Sequence, residues 1–327
     1  MSNKTINSEL KDRFRGALLG TFIGDALGMP MEGRRGNDLK SKDIVRDMLN
    51  ERLGRGTYTD DTQMMIGLAE AFLESPGCVD QDRIAKRFSE NYDRKRGYGG
   101  NARSIISEIK KGKPWKEAVA LFPLPGGGSM ANGAAMRVAP CALAFYPDFD
   151  TVGQAAEKQA AVTGHTHPVG LFGAKMQALA VLQALISVYH EKKFPAESFI
   201  QKLTSNCPSR FNSVLNWLKE NLDARPQKAA EVIGTRSLAD CSVPMALWCF
   251  LSCSDDPEEV VVRSVNLGGD ADTIGAMAGA IAGAYHGASS FPKRWVKVLE
   301  NGNKGKDYVI KLADQIFEKT DRRLVTR

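Results

Sequence analysis

Apolar and polar positions follow a helical period along almost the whole chain. The stretch ELKDRFRGALLGTFIGDALG predicts one helix, with Ser8 as its N-cap. The same spacing returns in YTDDTQMMIGLAEAFLE, DQDRIAKRFSENYDR, NARSIISEIKKG, PWKEAVALF and TVGQAAEKQAAVT. It continues through PVGLFGAKMQALAVLQALISVYHEK, PAESFIQKLTS, SRFNSVLNWLKENL, VPMALWCFLSC, PEEVVVRSVNL and GKDYVIKLADQIFEKT. Pro114, Pro195 and Pro257 stand where a first helical turn tolerates proline. Alternating β-branched runs are nearly absent, so the pattern predicts an all-α protein. No Pro/Ser-rich linker divides the chain. A single compact multi-helix domain over residues 1–327 is expected, with residues 1–8 as a flexible tail.

Two of these helices carry glycine at every fourth position: Gly16, Gly20, Gly24 and Gly28, then Gly275, Gly279, Gly283 and Gly287. Such a repeat lies nearly along one helix face. Glycine costs about 1 kcal/mol per site against alanine inside a helix. Close backbone approach between deeply packed helices is the expected compensation.

Composition changes this picture little. Hydrophobic residues make up 43% of 327, enough for a substantial core. The net charge of +6 is mild and scattered, so a nucleic-acid partner is not expected, while an anionic small molecule is compatible. The N-terminus lacks the apolar core of a signal peptide, and no uncharged apolar run approaches a membrane span. The six cysteines include no C-x-x-C pair and read as reduced thiols. A cytoplasmic, monomeric protein is expected.

The candidate chemistry lies in two acidic turns. TYTDDTQMM holds Thr59, Asp60, Asp61 and Thr62, and GGDADT holds Asp270, Asp272 and Thr273. Each opens a predicted helix. Capping explains one such residue per helix, not paired carboxylates with hydroxyls at both places. Hard oxygen donors suit Mg²⁺, Mn²⁺ or Ca²⁺ rather than zinc. Without cations, four converging carboxylates would repel one another. A pair of divalent ions removes that cost and can clamp substrate oxygens and activate water.

GALLGTFIGDALGMPME, GTYTDDTQM, GGGSMANGAAMRVAP, TGHTHP and VNLGGDADTIGAMAGAIAGAYHG occur in this order. Together they resemble the ADP-ribosylglycohydrolase family, which includes the enzyme that activates dinitrogenase reductase. The resemblance implies a single all-α domain with a binuclear Mg²⁺ or Mn²⁺ site, hydrolysing an ADP-ribosyl N- or O-glycosidic bond. By resemblance, Thr59, Asp60, Asp61, Asp270, Asp272 and Thr273 are the metal ligands. Glu32 matches a family glutamate near the metals; Glu32, Asp60 and Asp61 are the candidate catalytic groups. Gly128, Ser129, Met130, Asn132 and Gly133 are implied ligand contacts, on a loop whose free N–H groups can hold a diphosphate. His165 matches a histidine that approaches ribose or phosphate, whereas His167 reads as a structural, capping or solvated residue. Arg137 has two readings, a phosphate partner or a structural ion pair.

The chain also departs from the family pattern. Met130 stands where some relatives stack an aromatic ring. RGYGGNAR carries no acid where enzymes acting on ADP-ribosyl-arginine carry one, and Asp93 lies upstream. Arginine is nevertheless the first expected acceptor, with serine and other O-linkages behind it. Expected partners are ADP-ribose, ADP-ribosylated protein, and a cognate ADP-ribosyltransferase or toxin. Two rival readings are an ADP-ribose-binding module without turnover and a metal-dependent nucleotide phosphohydrolase.

Overall fold

The computed structural model describes residues 3–34, 44–190, 194–204 and 207–325. Among them every regular element is helical, apart from an isolated bridge between Ala131 and Leu238. In chain order the α-helices are α1 (Asn3–Gly28), α2 (Asp60–Glu74), α3 (Gln81–Asn91), α4 (Gly100–Lys110), α5 (Trp115–Ala120), α6 (Ala139–Ala144), α7 (Phe149–Ala161) and α8 (Pro168–His190). Then follow α9 (Ala196–Thr204), α10 (Ser209–Glu220), α11 (Pro226–Ile233), α12 (Ala239–Leu251), α13 (Pro257–Val265), α14 (Ala271–His286), α15 (Lys293–Val298) and α16 (Lys306–Val325).

Several boundaries differ from the sequence pattern, among them the starts of α1 and α12. α1 begins at Asn3, so Ser8 lies within it rather than capping it, and residues 3–8 of the expected tail are helical. Further along α1, Lys11 and Arg15 both pair with Asp314 of α16, at 3.8 and 2.6 Å. α12 begins at Ala239, four residues before Val243, and carries Pro244 inside it. Residues 1–2 of the expected tail lie outside the described residues.

The glycine stripes meet at the centre. α1 and α14 run antiparallel, with Gly16 against Gly283, Gly20 against Gly279 and Gly24 against Gly275. A Cβ at Gly16, Gly20 or Gly24 would come under 3.0 Å from the carbonyl of its partner, closer than real Cβ atoms approach. The reciprocal additions on α14 meet α1 backbone in the same way. Both stripes are therefore used, as the every-fourth-residue repeat predicts. This contact brings the C-terminal end of α1 beside the N-terminal end of α14, because Gly28 lies against Ala271 and Asp272.

α8 contains a stretch, Pro168–Ser187, long and apolar enough to cross a membrane by length and composition. Of it, 72% is buried inside the protein, the environment of a core helix. The cysteines are free thiols; Cys141, Cys241 and Cys249 are buried, and Cys78 is exposed.

Candidate active site

The first acidic turn is built by a carboxylate that the motif search passed over. Asp25, fully buried on α1, accepts hydrogen bonds from the Thr59 N–H (3.0 Å to each oxygen), the Thr62 N–H (3.1 Å) and the Thr62 hydroxyl (2.6 Å). Thr59 caps α2, its hydroxyl accepting from the Asp61 N–H at 3.3 Å. Asp25 thus uses the free N–H groups that a helix start leaves over, and fixes where Asp60 and Asp61 project. Arg96 secures the same turn from outside. It donates to the Tyr58 carbonyl at 2.7 Å, lies 3.8 Å over the Tyr58 ring, and forks onto Glu300 with two 2.8 Å bonds.

The second turn depends on two consecutive left-handed residues, Gly268 (φ 75°) and Gly269 (φ 68°), a conformation that L side chains rarely adopt. The Gly33 N–H donates to the Gly269 carbonyl and the Gly269 N–H to the Arg34 carbonyl, both at 2.8 Å. That exchange draws Glu32 to the turn: carboxylate oxygens of Glu32, Asp270 and Asp272 lie within 4.8 Å of one another. Asn132 holds Asp270 at 2.5 Å and Ser242 at 2.9 Å through its amide. The Asp272 carboxylate accepts from the Thr273 N–H at 2.9 Å.

Both turns open on one cleft of about 300 Å³. Glu32, Asp60, Asp61, Asp270, Asp272, Thr273, Ser129, Asn132, Gly133 and His165 all lie on its wall, so most of the sequence-predicted site is brought together. Three expected residues are not on that wall. Thr59 stands behind it as the α2 cap. Gly128 packs against Thr166 and His167. Met130 is half-buried against the core, with its carbonyl accepting from the Ala239 N–H at 3.0 Å. Sequence reasoning missed Arg52 and Ser237, which border the cleft, and Asp25 beneath it. The signal for Asp25 was an ionised residue amid the apolar, glycine-striped FIGDALG. Arg52 and Ser237 carried no signal, because their roles depend on where loops arrive.

The electrostatics bear on what the cleft can hold. Burial, and then repulsion from Asp25, push the Asp60 carboxyl up to about 8, although one side of Asp60 meets the cleft. Burial likewise raises Asp25 and Asp270 to about 6, and Asp61 and Asp272 well above the usual range. Ionising Asp60 in place would cost up to about 6 kcal/mol, whereas an N-cap contributes about 1 kcal/mol. Capping therefore does not account for the cluster. Asp61 Oδ2 is buried with no hydrogen-bond partner among the described residues. Such a donor set fits a hard divalent cation.

A proton-linked stability follows. Without metal, the folded protein holds protons on Asp25, Asp60 and Asp270 up to pH about 6–8, whereas the unfolded chain releases them near pH 4. The folded state then binds more protons across this window, so stability falls as pH rises through it. Chelator-treated protein is expected to melt a few degrees lower at pH 8 than at pH 6. Saturating Mn²⁺ should abolish or reverse that difference, which differential scanning calorimetry would read. A second expectation concerns Asp25→Asn, which places an N–H donor against the donors of Thr59 and Thr62. Divalent affinity should drop about 10- to 100-fold by isothermal titration, as for other residues that orient ligands.

At the other end of the cleft, His165 is buried, and desolvation with the nearby Arg137 charge depresses its basicity to about 3, so the ring is neutral. His167 accepts from the Val169 N–H at 3.1 Å, the capping role its position suggested. Arg137 is fully buried on the cleft floor, and its side-chain partners are neutral: Gln159, Thr163 and the Met64 sulfur, with Phe88 4.7 Å beneath. The structural ion pair considered for it does not form among the described residues. Gly97, Gly99, Gly100 and Asn101 line the mouth, and Asp93 is not on the wall.

An all-helical domain with this acidic cleft defines a hydrolase of the ADP-ribosylglycohydrolase type, and the chain belongs to that family. The family profile, ADP-ribosylglycohydrolase, matches residues 6–324. Human ADP-ribosylhydrolase ARH3 is 33% identical, with 94% of each chain covered. An uncharacterized protein of Archaeoglobus fulgidus is 31% identical over 94% of this chain and 97% of its own. A solved structure titled ADP-ribosylglycohydrolase-related protein complex superposes with a TM-score of 0.75 at 28% identity, covering 96% of this chain and 99% of that one. The protein is accordingly an ADP-ribosylglycohydrolase.

Proposed function

We propose that the enzyme removes ADP-ribose from modified protein side chains, using Mg²⁺ or Mn²⁺ held as a pair between the two acidic turns. The observation that carries this reading is the unpartnered Asp61 Oδ2 within a group of desolvated carboxylates. Those carboxylates border the same cleft as Ser129, Gly133 and His165. Asp60, Asp61, Asp270, Asp272 and Thr273 would hold the ions, with Thr59 bracing the first turn. When bound, such ions fix ribose hydroxyls and lower the pKa of a coordinated water.

The chain's own residues do the rest. The N–H groups of Ser129, Ala131 and Asn132 are spent on the Gly164 carbonyl, the Ser129 hydroxyl and the Ser237 carbonyl, so the Ser129 side chain, the open face of Gly133 and His165 would meet the diphosphate and ribose end. Glu32 lies at the open side of the cluster, its side chain 40% exposed. It is the carboxylate able both to take a proton from the attacking water and to pass it to solvent. Cleavage at the anomeric carbon passes through an oxocarbenium-like state, as in other glycoside hydrolysis.

The acceptor is read from the mouth. An ADP-ribosylated guanidinium stays cationic and needs a free carboxylate. The mouth offers Glu32, which already pairs with Arg52 at 3.0 Å, and the Gly97–Asn101 rim carries none. This favours a neutral hydroxyl-linked side chain such as serine over the arginine expected from the sequence. The modification reversed is that of an endogenous transferase or a toxin, in the cytoplasm, by a monomer. The test is a panel of serine-, arginine- and nucleic-acid-linked ADP-ribose assayed with Mg²⁺, Mn²⁺ and EDTA. Free ADP-ribose from the serine peptide, lost in EDTA, is expected. AMP or phosphate as product would indicate a phosphohydrolase, and binding without release a reader module.

A further inference from the structure

The geometry points to Thr163 as a positioning residue that fixes the Nε2–H tautomer of His165 and so aims an N–H donor into the cleft. Three groups form a chain from the core to the cleft wall. Arg137 Nη2 donates to the Thr163 hydroxyl oxygen at 2.9 Å, and that oxygen lies 3.0 Å from His165 Nδ1. Arg137 and Thr163 are fully buried and His165 is 4% exposed, so water does not compete for these bonds. A guanidinium has donors alone to offer. With one of them on the Thr163 oxygen, the hydroxyl's own proton can point at Nδ1. Nδ1 then accepts, and the ring hydrogen of the neutral imidazole resides on Nε2. Nε2 lies against Gly133: a Cβ built there would be 3.0 Å from it. Gly133 is itself on the cleft wall, so its missing side chain leaves Nε2 accessible to a ligand.

The arrangement also occupies the donors of a buried cation that has no carboxylate partner among the described residues. Arg137 spends Nε on the Gln159 side chain at 2.7 Å and Nη2 on the Gln159 carbonyl at 3.1 Å as well as on Thr163. Its charge beside the ring opposes protonation of His165. The imidazole therefore acts as a neutral donor of fixed orientation, suited to an oxygen acceptor on a phosphate or ribose. The competing partner for a proton on Nδ1 is the Thr163 carbonyl, which also lies near the ring.

The test uses full-length protein labelled with ¹⁵N-histidine. Four histidines give a tractable spectrum, and His165→Asn identifies the signals of interest. The wild type should show a bare Nδ1 and a protonated Nε2 on His165. Thr163→Val should pull the two nitrogen shifts together, and Thr163→Ser should restore them. Affinity for ADP-ribose should weaken about tenfold in Thr163→Val, the worth of one well-formed hydrogen bond, and recover in Thr163→Ser. A wild-type proton on Nδ1, or identical shifts in Thr163→Val, would overturn the proposal. So would unchanged ADP-ribose affinity in that variant. The affinity arm rests on the cleft being the ADP-ribose site. A wild type that bound no ADP-ribose would sink that reading while leaving the tautomer result standing.

Discussion

Replacing Asp60 and Asp61 together by alanine is expected to lower turnover on the order of 10³-fold or more, because metal-site catalysis supplies several kcal/mol of the barrier reduction. The helical circular-dichroism signal should survive. Asp61 makes no helix-capping bond with its carboxylate, and the α2 cap belongs to Thr59. The variant also separates a metal role from a structural one. In the wild type, desolvation and then repulsion from Asp25 raise both carboxyls. Removing them relieves a cost in the chelated protein, so its melting temperature should hold or rise. Mn²⁺ should stabilise the wild type, as a ligand specific for the folded state does, and leave the variant unmoved. A variant that kept full activity, or a wild type that worked in excess chelator, would refute the assignment.

The second large effect is on stability. Gly24→Ala should destabilise the protein by about 3–5 kcal/mol, because overpacking against rigid backbone adds to the loss of the central helix contact. Helix propensity alone predicts the opposite sign, a gain of about 1 kcal/mol. Packing outweighs it here: the added Cβ would meet the Gly275 carbonyl carbon and the Ala276 nitrogen, which are backbone atoms and cannot swing away. Gly100→Ala is the matched control. Gly100 opens α4 with nothing within 4 Å of a built Cβ, so propensity alone should govern there. Urea unfolding of both variants reads the contrast. A stabilised Gly24→Ala would mean that the two helices do not touch through their stripes.

These residues also mark how far the sequence could be read. The helical period and the four-residue glycine repeat are local patterns, and both survive in α1 and α14. The paired aspartates were legible because two carboxylates and a hydroxyl exceed what a cap requires. Asp25 was not, because its partners, Thr59 and Thr62, are 34 and 37 residues away, and a lone acid in an apolar helix announces no partner. Met130 shows the reverse case. The family resemblance gave it as a ligand contact, whereas in the structure it is half-buried against the core, off the cleft wall. Ser8 was misplaced as a cap because local chemistry favours that position, while the helix begins five residues earlier, at Asn3.

The antiparallel pairing of α1 with α14 has a consequence for biosynthesis. A chain emerging from the ribosome presents Asp60 and Asp61 long before Asp270 and Asp272 exist, and α1 must wait for its partner behind most of the polypeptide. Pairing of this sequence separation closes slowly. Nascent or prematurely terminated chains that stop before α14 therefore lack one of the two acidic turns, and the cleft is closed only once α14 has been made.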